Sequence, residues 1–234
     1  MALRAAQARA RRALVDRGAA QRMPVIRIPR AVSEEHLRAV EALGAEHARR
    51  HGEPAESRRA WRTQYLNAGG LARSEASDLL QSLVDAAKRV DAEHFGGRAA
   101  DAEIRCVELH TCGAGADLGD PRHFDSGSVV TLDVCLDEAD EGGHFQTLEP
   151  DDSLQRHPFE RGDVLIFPSY KYHSVSRIEA GLRRVLVLEL WNGDEKLCNH
   201  RCTVARGSCE GLAIGVAEQE PSSQMAAWGP QARG

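Results

Sequence analysis

Hydrophobic and polar positions change rhythm near residue 103 of the 234-residue chain. Upstream, apolar residues recur at helical spacing. Leu37, Val40, Leu43 and Ala48 form one stripe, and Ser33 with Glu34 and Glu35 reads as an N-cap with acids in the first turn. A helix is therefore predicted to about Arg50. A stronger stripe, Leu79, Leu80, Leu83, Val84, Ala87 and Val90, predicts a helix over Arg73 to Phe95, stopped by Gly96-Gly97. Val25 to Ile28 reads as a short strand. Gly52 to Gly70 reads as irregular, with Trp61, Tyr65 and Leu66 anchored on the core.

From Glu103 the period is two. Ile104 to Thr111 is a predicted strand, followed by a Gly-rich connection through Gly113, Gly115, Gly119 and Pro121. Ser128 to Leu136 alternates, with Leu132, Val134 and Leu136 on one face and Thr131, Asp133 and Cys135 on the other. A polar inner face is odd for a plain core strand and is expected where that face lines a polar cavity. Gly143 to Leu148, Val164 to Phe167, His173 to Ile178 and Arg183 to Trp191 are further strands between Gly, Pro and Asp turns. Many short strands of this kind predict a sandwich or jelly roll.

Composition narrows the class. Hydrophobic residues make up 42% and no apolar run approaches ~20 residues, which argues against a membrane span. A formal charge of −5 argues against a nucleic-acid footprint. Cys106, Cys112, Cys135, Cys198, Cys202 and Cys209 follow no secretory pattern, so free thiols in a reducing, cytoplasmic setting are expected. Met1 to Met23 is Arg-rich with Asp16 as its one acid. It reads as a frayed basic helix or flexible leader, and an organellar transit segment is the alternative.

The chemistry concentrates between Arg122 and Trp191. His123 and Asp125 stand two apart, so an extended strand sends both side chains from one face. His173 follows several strands later. Two histidines and one carboxylate are the ligand set of a non-haem Fe(II) centre with open positions. Arg183, ten residues after His173, is a fixed cation suited to forking a carboxylate. The order His123-Phe124-Asp125, Gly142-Gly143-His144-Phe145, Arg161-Gly162-Asp163 with its following apolar strand, His173, then Gly181-Leu182-Arg183 resembles the Fe(II)/2-oxoglutarate-dependent dioxygenases of the prolyl-4-hydroxylase-like branch. The resemblance spans Glu103 to Trp191.

The resemblance implies a mainly β protein with N-terminal helices and a double-stranded β-helix (jelly roll, cupin-like) core. It implies His123, Asp125 and His173 as ligands of Fe(II), and Arg183 as the partner of the distal carboxylate of 2-oxoglutarate. O2 is then a co-substrate, ascorbate an auxiliary reductant, and the substrate a protein side chain such as proline or a small molecule. The pattern departs from the family at Cys135, where a tyrosine often helps hold that carboxylate. Thr131 or a water is the expected substitute, and Asp133 sits awkwardly close to the same anion unless it pairs with Arg183 or another cation. Strand alternation sets Arg184 on the opposite face from Arg183, as a snorkelling or salt-bridged residue. His144 is expected at the surface or the cavity rim. A cupin-type metalloenzyme that does not use 2-oxoglutarate and an inactive binding protein of the same fold are the alternatives.

The chain divides into a basic leader (1–30), a helical support (31–100), the core (101–197) and a loosely ordered Cys-containing tail (198–234). His36, His47 and His51 are expected to be solvated. Cys198, His200, Cys202 and Cys209 have soft-ligand chemistry without the usual paired zinc spacing, so they are read as inert and dispensable for catalysis, with a small structural metal site as the alternative.

Overall fold

Alternation sorts the faces of a seven-stranded sheet in the computed structural model, which describes residues 18–209. The sheet runs β1-β10-β6-β13-β4-β3-β2. Its strands are β1 (Ile26–Ile28), β2 (Glu56–Arg58), β3 (Trp61–Tyr65), β4 (Glu103–Gly113), β6 (Val130–Asp137), β10 (Val164–Pro168) and β13 (Leu182–Trp191). A four-stranded sheet runs β5-β11-β8-β9, from β5 (Leu118–His123), β8 (Phe145–Leu148), β9 (Leu154–Arg156) and β11 (His173–Val175). The short pair β7 (Glu141–Gly142) and β12 (Ile178–Ala180) completes the barrel. The two sheets meet through Phe145 and Phe167, whose ring centroids lie 5.2 Å apart.

Three helices pack in the core on the outer face of the large sheet. α1 (Glu34–His51) starts at Ser33, whose Oγ accepts from the His36 amide at 3.3 Å. The long predicted helix is divided into α2 (Leu71–Glu75) and α3 (Ser77–Val90), because Ala76 leaves the helical region at φ −140°. A single π turn, Asp91–Phe95, follows and ends at Gly96 in the left-handed region. Leu37, Val40 and Leu43 of α1 and the α3 stripe pack in one core with Leu132, Val134, Leu186, Leu188 and Leu190 of the sheet. Each such leucine contributes about 1.5–3 kcal/mol on burial.

Three readings need correction. The stretch expected to be irregular contains β2 and β3, which extend the sheet beyond β4, with Thr63 facing His110 and Gln64 facing Leu109. Its polar residues masked the alternation, and Gln64 is accommodated by donating to the Gly44 carbonyl at 2.8 Å. His47 is buried, not solvated, with Nε2 at 3.1 Å from Asn199 Oδ1. The leader is docked from residue 18 onward: Gln21 donates to the Tyr170 carbonyl at 2.7 Å and accepts from the Tyr172 amide at 2.8 Å. Residues 1–17 and 210–234, including Trp228, lie outside the described residues. Among the described residues no helix is long and apolar enough to cross a membrane.

The predicted sides of β13 hold. Arg184 reaches outward to Glu41 of α1 at 2.8 Å and to Asp137, while Arg183 is buried on the inner face. Leu188 shares the outer face with Arg184. Leu188→Ala should therefore cost about 2–5 kcal/mol of stability through the cavity it leaves. Arg184→Ala should cost about 1 kcal/mol or less, because its ion pairs are partly exposed. Urea midpoints of the two variants check this order.

Candidate metal centre

Antiparallel register brings the three candidate ligands together. β5 pairs with β11 so that His123 faces His173 directly, and their imidazoles lie 5.0 Å apart at 89°. Asp125 follows His123 as the chain leaves β5, and its amide donates to the Ser169 carbonyl at 2.7 Å. Its Oδ1 lies 3.5 Å from His123 Nε2 and its Oδ2 3.8 Å from His173 Nε2. One ligand atom from each residue falls within 4.8 Å of the others, the convergence a single ion needs.

The surroundings orient each of them. A carbonyl can only accept, so His173 Nδ1 donates to the Lys171 carbonyl at 2.9 Å and leaves Nε2 as the lone-pair donor. Burial holds the His173 pKa below its ordinary value, which favours that neutral ring. Phe145 stacks on it at 5.7 Å and Phe167 packs at 5.0 Å. The Lys171 turn is itself fixed, since Lys171 Nζ is buried and donates to the Gln21 carbonyl at 3.0 Å and to Glu149. Asp125 is buried, which works to raise its pKa, yet His173, His123 and Arg201 hold it well below the carboxylate range.

Thr131 is placed differently from expectation. Its hydroxyl has one proton, and that proton goes to Asp125 Oδ2 at 2.7 Å, with Ser169 Oγ 2.9 Å away. The expected hydrogen bond to a co-substrate is thus replaced by one to the candidate ligand. Cys135 is buried, and burial pushes its thiol up to about 12, so it stays neutral. His144 is half-buried and stands outside the three-residue cluster.

On the inner face of β13 Arg183 is 4% exposed, and its Nη2 is buried with no hydrogen-bond partner among the described residues. Its guanidinium lies 5.8 Å from the Phe159 ring. Its stem passes Gly143, where an added Cβ would come within 3.3 Å of Arg183 Cδ. Neighbouring Gly142, at φ 78°, lies so near the Arg177 carbonyl that a Cβ would stand 2.0 Å from it. The Gly-Gly pair is therefore required by close approach on two sides.

Two arginines were missed. Arg201, in the segment after β13, places Nη2 2.9 Å from Glu189 Oε2 and 3.5 Å from Asp125 Oδ1. Arg105 of β4 donates to the carbonyls of Ser126 (2.7 Å) and Cys202 (2.8 Å) and approaches Glu189 at 3.3 Å. Alternation on β4 groups Arg105 with the outward Val107 and Leu109, and only the register shift between Cys106 and Ile104 turns it toward Glu189. Nothing in the pattern of the tail pointed to Arg201.

Neither a protein-family model nor a curated protein sequence matches the chain. Solved structures do. An oxidoreductase of the 2OG-Fe(II) oxygenase family from Burkholderia pseudomallei superposes with a TM-score of 0.56 at 19% identity, covering 83% of this chain and 94% of that one. The chain has the 2OG-Fe(II) oxygenase fold. A Pseudomonas putida prolyl-4-hydroxylase gives 0.52 at 14% identity, covering 76% and 97%. A Trichoplax adhaerens prolyl hydroxylase in complex with a hypoxia inducible factor peptide fragment gives 0.53 at 17%, covering 79% and 91%. The double-stranded β-helix expected from the resemblance is this shared 2OG-Fe(II) oxygenase barrel.

Asp133 is buried on β6, within electrostatic reach of both Arg183 and Asp125. Burial pushes it up to about 8, opposed by Arg183 and reinforced by Asp125, Glu189 and Glu108. In the unfolded chain it loses its proton near 3.8. Between these values the folded state holds the extra proton, so this carboxyl's contribution makes stability fall as pH rises from about 4 toward about 8. Asp133→Asn should flatten that fall. Urea midpoints of wild type and variant at several pH values across this range check it, and parallel pH profiles would contradict it.

Proposed function

We propose that the protein is an Fe(II)- and 2-oxoglutarate-dependent dioxygenase that hydroxylates a C–H bond of a protein side chain or a small molecule. The observation that carries this reading is Arg183, a buried guanidinium with an unpartnered nitrogen, in the same barrel as a convergent His-Asp-His cluster. A buried cation without an acceptor is costly, so such a site calls for an anionic ligand. 2-Oxoglutarate would meet that need, with Arg183 holding its distal carboxylate. His123, Asp125 and His173 would hold Fe(II), a donor set that leaves positions open.

Bound together, Fe(II) and 2-oxoglutarate supply O2 activation, release of succinate and CO2, and delivery of oxygen to a C–H bond. The chain's own groups prepare the site. The Lys171 carbonyl fixes the His173 ring, and Thr131 aims Asp125. Phe145 and Phe167 shield the His173 side from water. Asp133, neutral below about pH 8, does not repel the dicarboxylate. A cupin-type enzyme working without 2-oxoglutarate has no use for a buried cation at Arg183. The likeness to a prolyl hydroxylase in complex with a peptide fragment supports peptidyl proline as one candidate within the substrate class.

Reconstituted under argon, the protein should take up about one Fe(II) at this triad. Asp125→Ala should abolish 2-oxoglutarate turnover, and full activity in that variant would remove the mechanism. Loss of a charge-assisted bidentate contact should weaken 2-oxoglutarate binding in Arg183→Ala by about 2–5 kcal/mol while Fe(II) binding persists. Arg184→Ala should leave the 2-oxoglutarate requirement nearly unchanged. Titration of both variants, followed by succinate release, separates the two arginines.

A further inference from the structure

The segment after β13 was expected to be a loose tail of inert thiols, with a small structural metal site as the alternative, and the structure folds it into a second cluster of metal-ligand types. Cys198, His200, Cys202 and Cys209 each offer an atom within 4.8 Å of all the others, and Cys209 Sγ lies 3.3 Å from His200 Nε2. A tetrahedral zinc with Zn–S of about 2.3 Å and Zn–N of about 2.0 Å sets its donors roughly 3.5–3.8 Å apart, so little movement closes the site. None of the three cysteines forms a disulfide. Three sulfurs and an imidazole make a closed soft set suited to a structural ion, unlike the open His-Asp-His set.

The chain between the ligands is built to dock. Ligands occupy positions 198, 200 and 202, and the intervening side chains hold the barrel: Asn199 meets His47 of α1, and Arg201 meets Glu189 and Asp125. The backbone is held as well, with the Cys198 carbonyl accepting from Asn67 at 3.3 Å and the Cys202 carbonyl from Arg105 at 2.8 Å.

We propose that Cys198, His200, Cys202 and Cys209 bind one structural zinc ion, which locks this strap across the barrel and seats Arg201 against Glu189 and Asp125. Binding releases the thiol protons to solvent and involves no redox change. The zinc site stands independently of the enzymatic reading. Only the consequence for a catalytic ligand rests on taking Asp125 as a ligand of iron.

The test uses the full chain, as wild type and as Asp125→Ala, which disables the triad and leaves the four strap ligands in place. Purified anaerobically from zinc-supplemented cells, Asp125→Ala should retain about one zinc per chain. Replacing that zinc by Co(II) should produce sulfur-to-cobalt charge-transfer bands and intense tetrahedral d–d bands. Removing the metal from wild type should raise hydrogen exchange of residues 195–206 on the order of tenfold or more, a cost of about 1.4 kcal/mol in local opening. Cys198→Ser and Cys209→Ser should lose the cobalt spectrum, and because they risk misfolding, the wild-type spectrum is the deciding measurement. Absence of thiolate charge transfer in wild type, alkylation of the thiols at equal rates with and without zinc, or a disulfide among them in anaerobic protein would each overturn the proposal. If zinc binds as described and Fe(II) fails to bind the triad, only the enzymatic reading falls.

Discussion

Carboxyl groups inside a barrel must be protonated, paired or bound to a cation, and this requirement shapes the interior. Glu108, Asp125, Asp133 and Glu189 are all buried on the inner side. Each is handled differently. Glu108 is raised by burial but held low overall by His110 and Arg201. Burial pushes Glu189 up to about 7, against Arg201, and its Oε2 accepts from Ser128, Arg105 and Arg201. Asp133 makes no ion pair among the described residues and keeps its proton. Asp125 remains charged, since two imidazoles and an arginine face it and Thr131 donates to it. The carboxylate held lowest is the one placed between two histidines, which is the condition for a metal ligand.

How much of this could be read from the chain depends on the range of the interactions. The outer face of the large sheet was legible because period two and period 3.6 are local signals, and Leu132, Val134, Leu186 and Leu188 obey them. The inner face was legible by elimination: Thr131, Asp133, Cys135, Arg183 and Glu189 fall on it by the same alternation. Placement within that face was not. Thr131 and Asp133 are two residues apart, but register alone decides that the first meets Asp125 while the second lies nearer Arg183. Thr131 was therefore misassigned to the co-substrate. β3 escaped because its partner strand β4 lies some 45 residues away and its polar side chains are satisfied by tertiary contacts such as Gln64 to Gly44.

His47 illustrates the limit from the other side. On its helix it sits among charged residues and reads as solvated. It lies four residues after Leu43 and seven after Val40, on the buried face of the helix, and Asn199, 152 positions later, returns to meet its ring. No periodicity in α1 encodes that return. The same holds for Gln21, whose side chain spans the Tyr170–Tyr172 turn and so positions the carbonyl that fixes His173. Segments at both ends of the described chain thus act on the candidate ligands, Gln21 through the turn that fixes His173 and Arg201 directly on Asp125.

That arrangement changes what counts as the core. A boundary near residue 197 follows the last strand, but the charge balance of the barrel does not close there. Without Arg201, Glu189 would keep only Arg105 and Ser128 as partners among the described residues, and Asp125 would lose the one guanidinium among them that approaches it. Leaving a buried carboxylate underpaired costs more than an ordinary surface contact returns, because the low-dielectric interior magnifies the imbalance. The strap is therefore part of the electrostatic unit that keeps Asp125 ionised. Folding of the barrel and docking of the strap then stabilise one another, and the functional boundary lies beyond Cys202, past the point where the strand pattern stops.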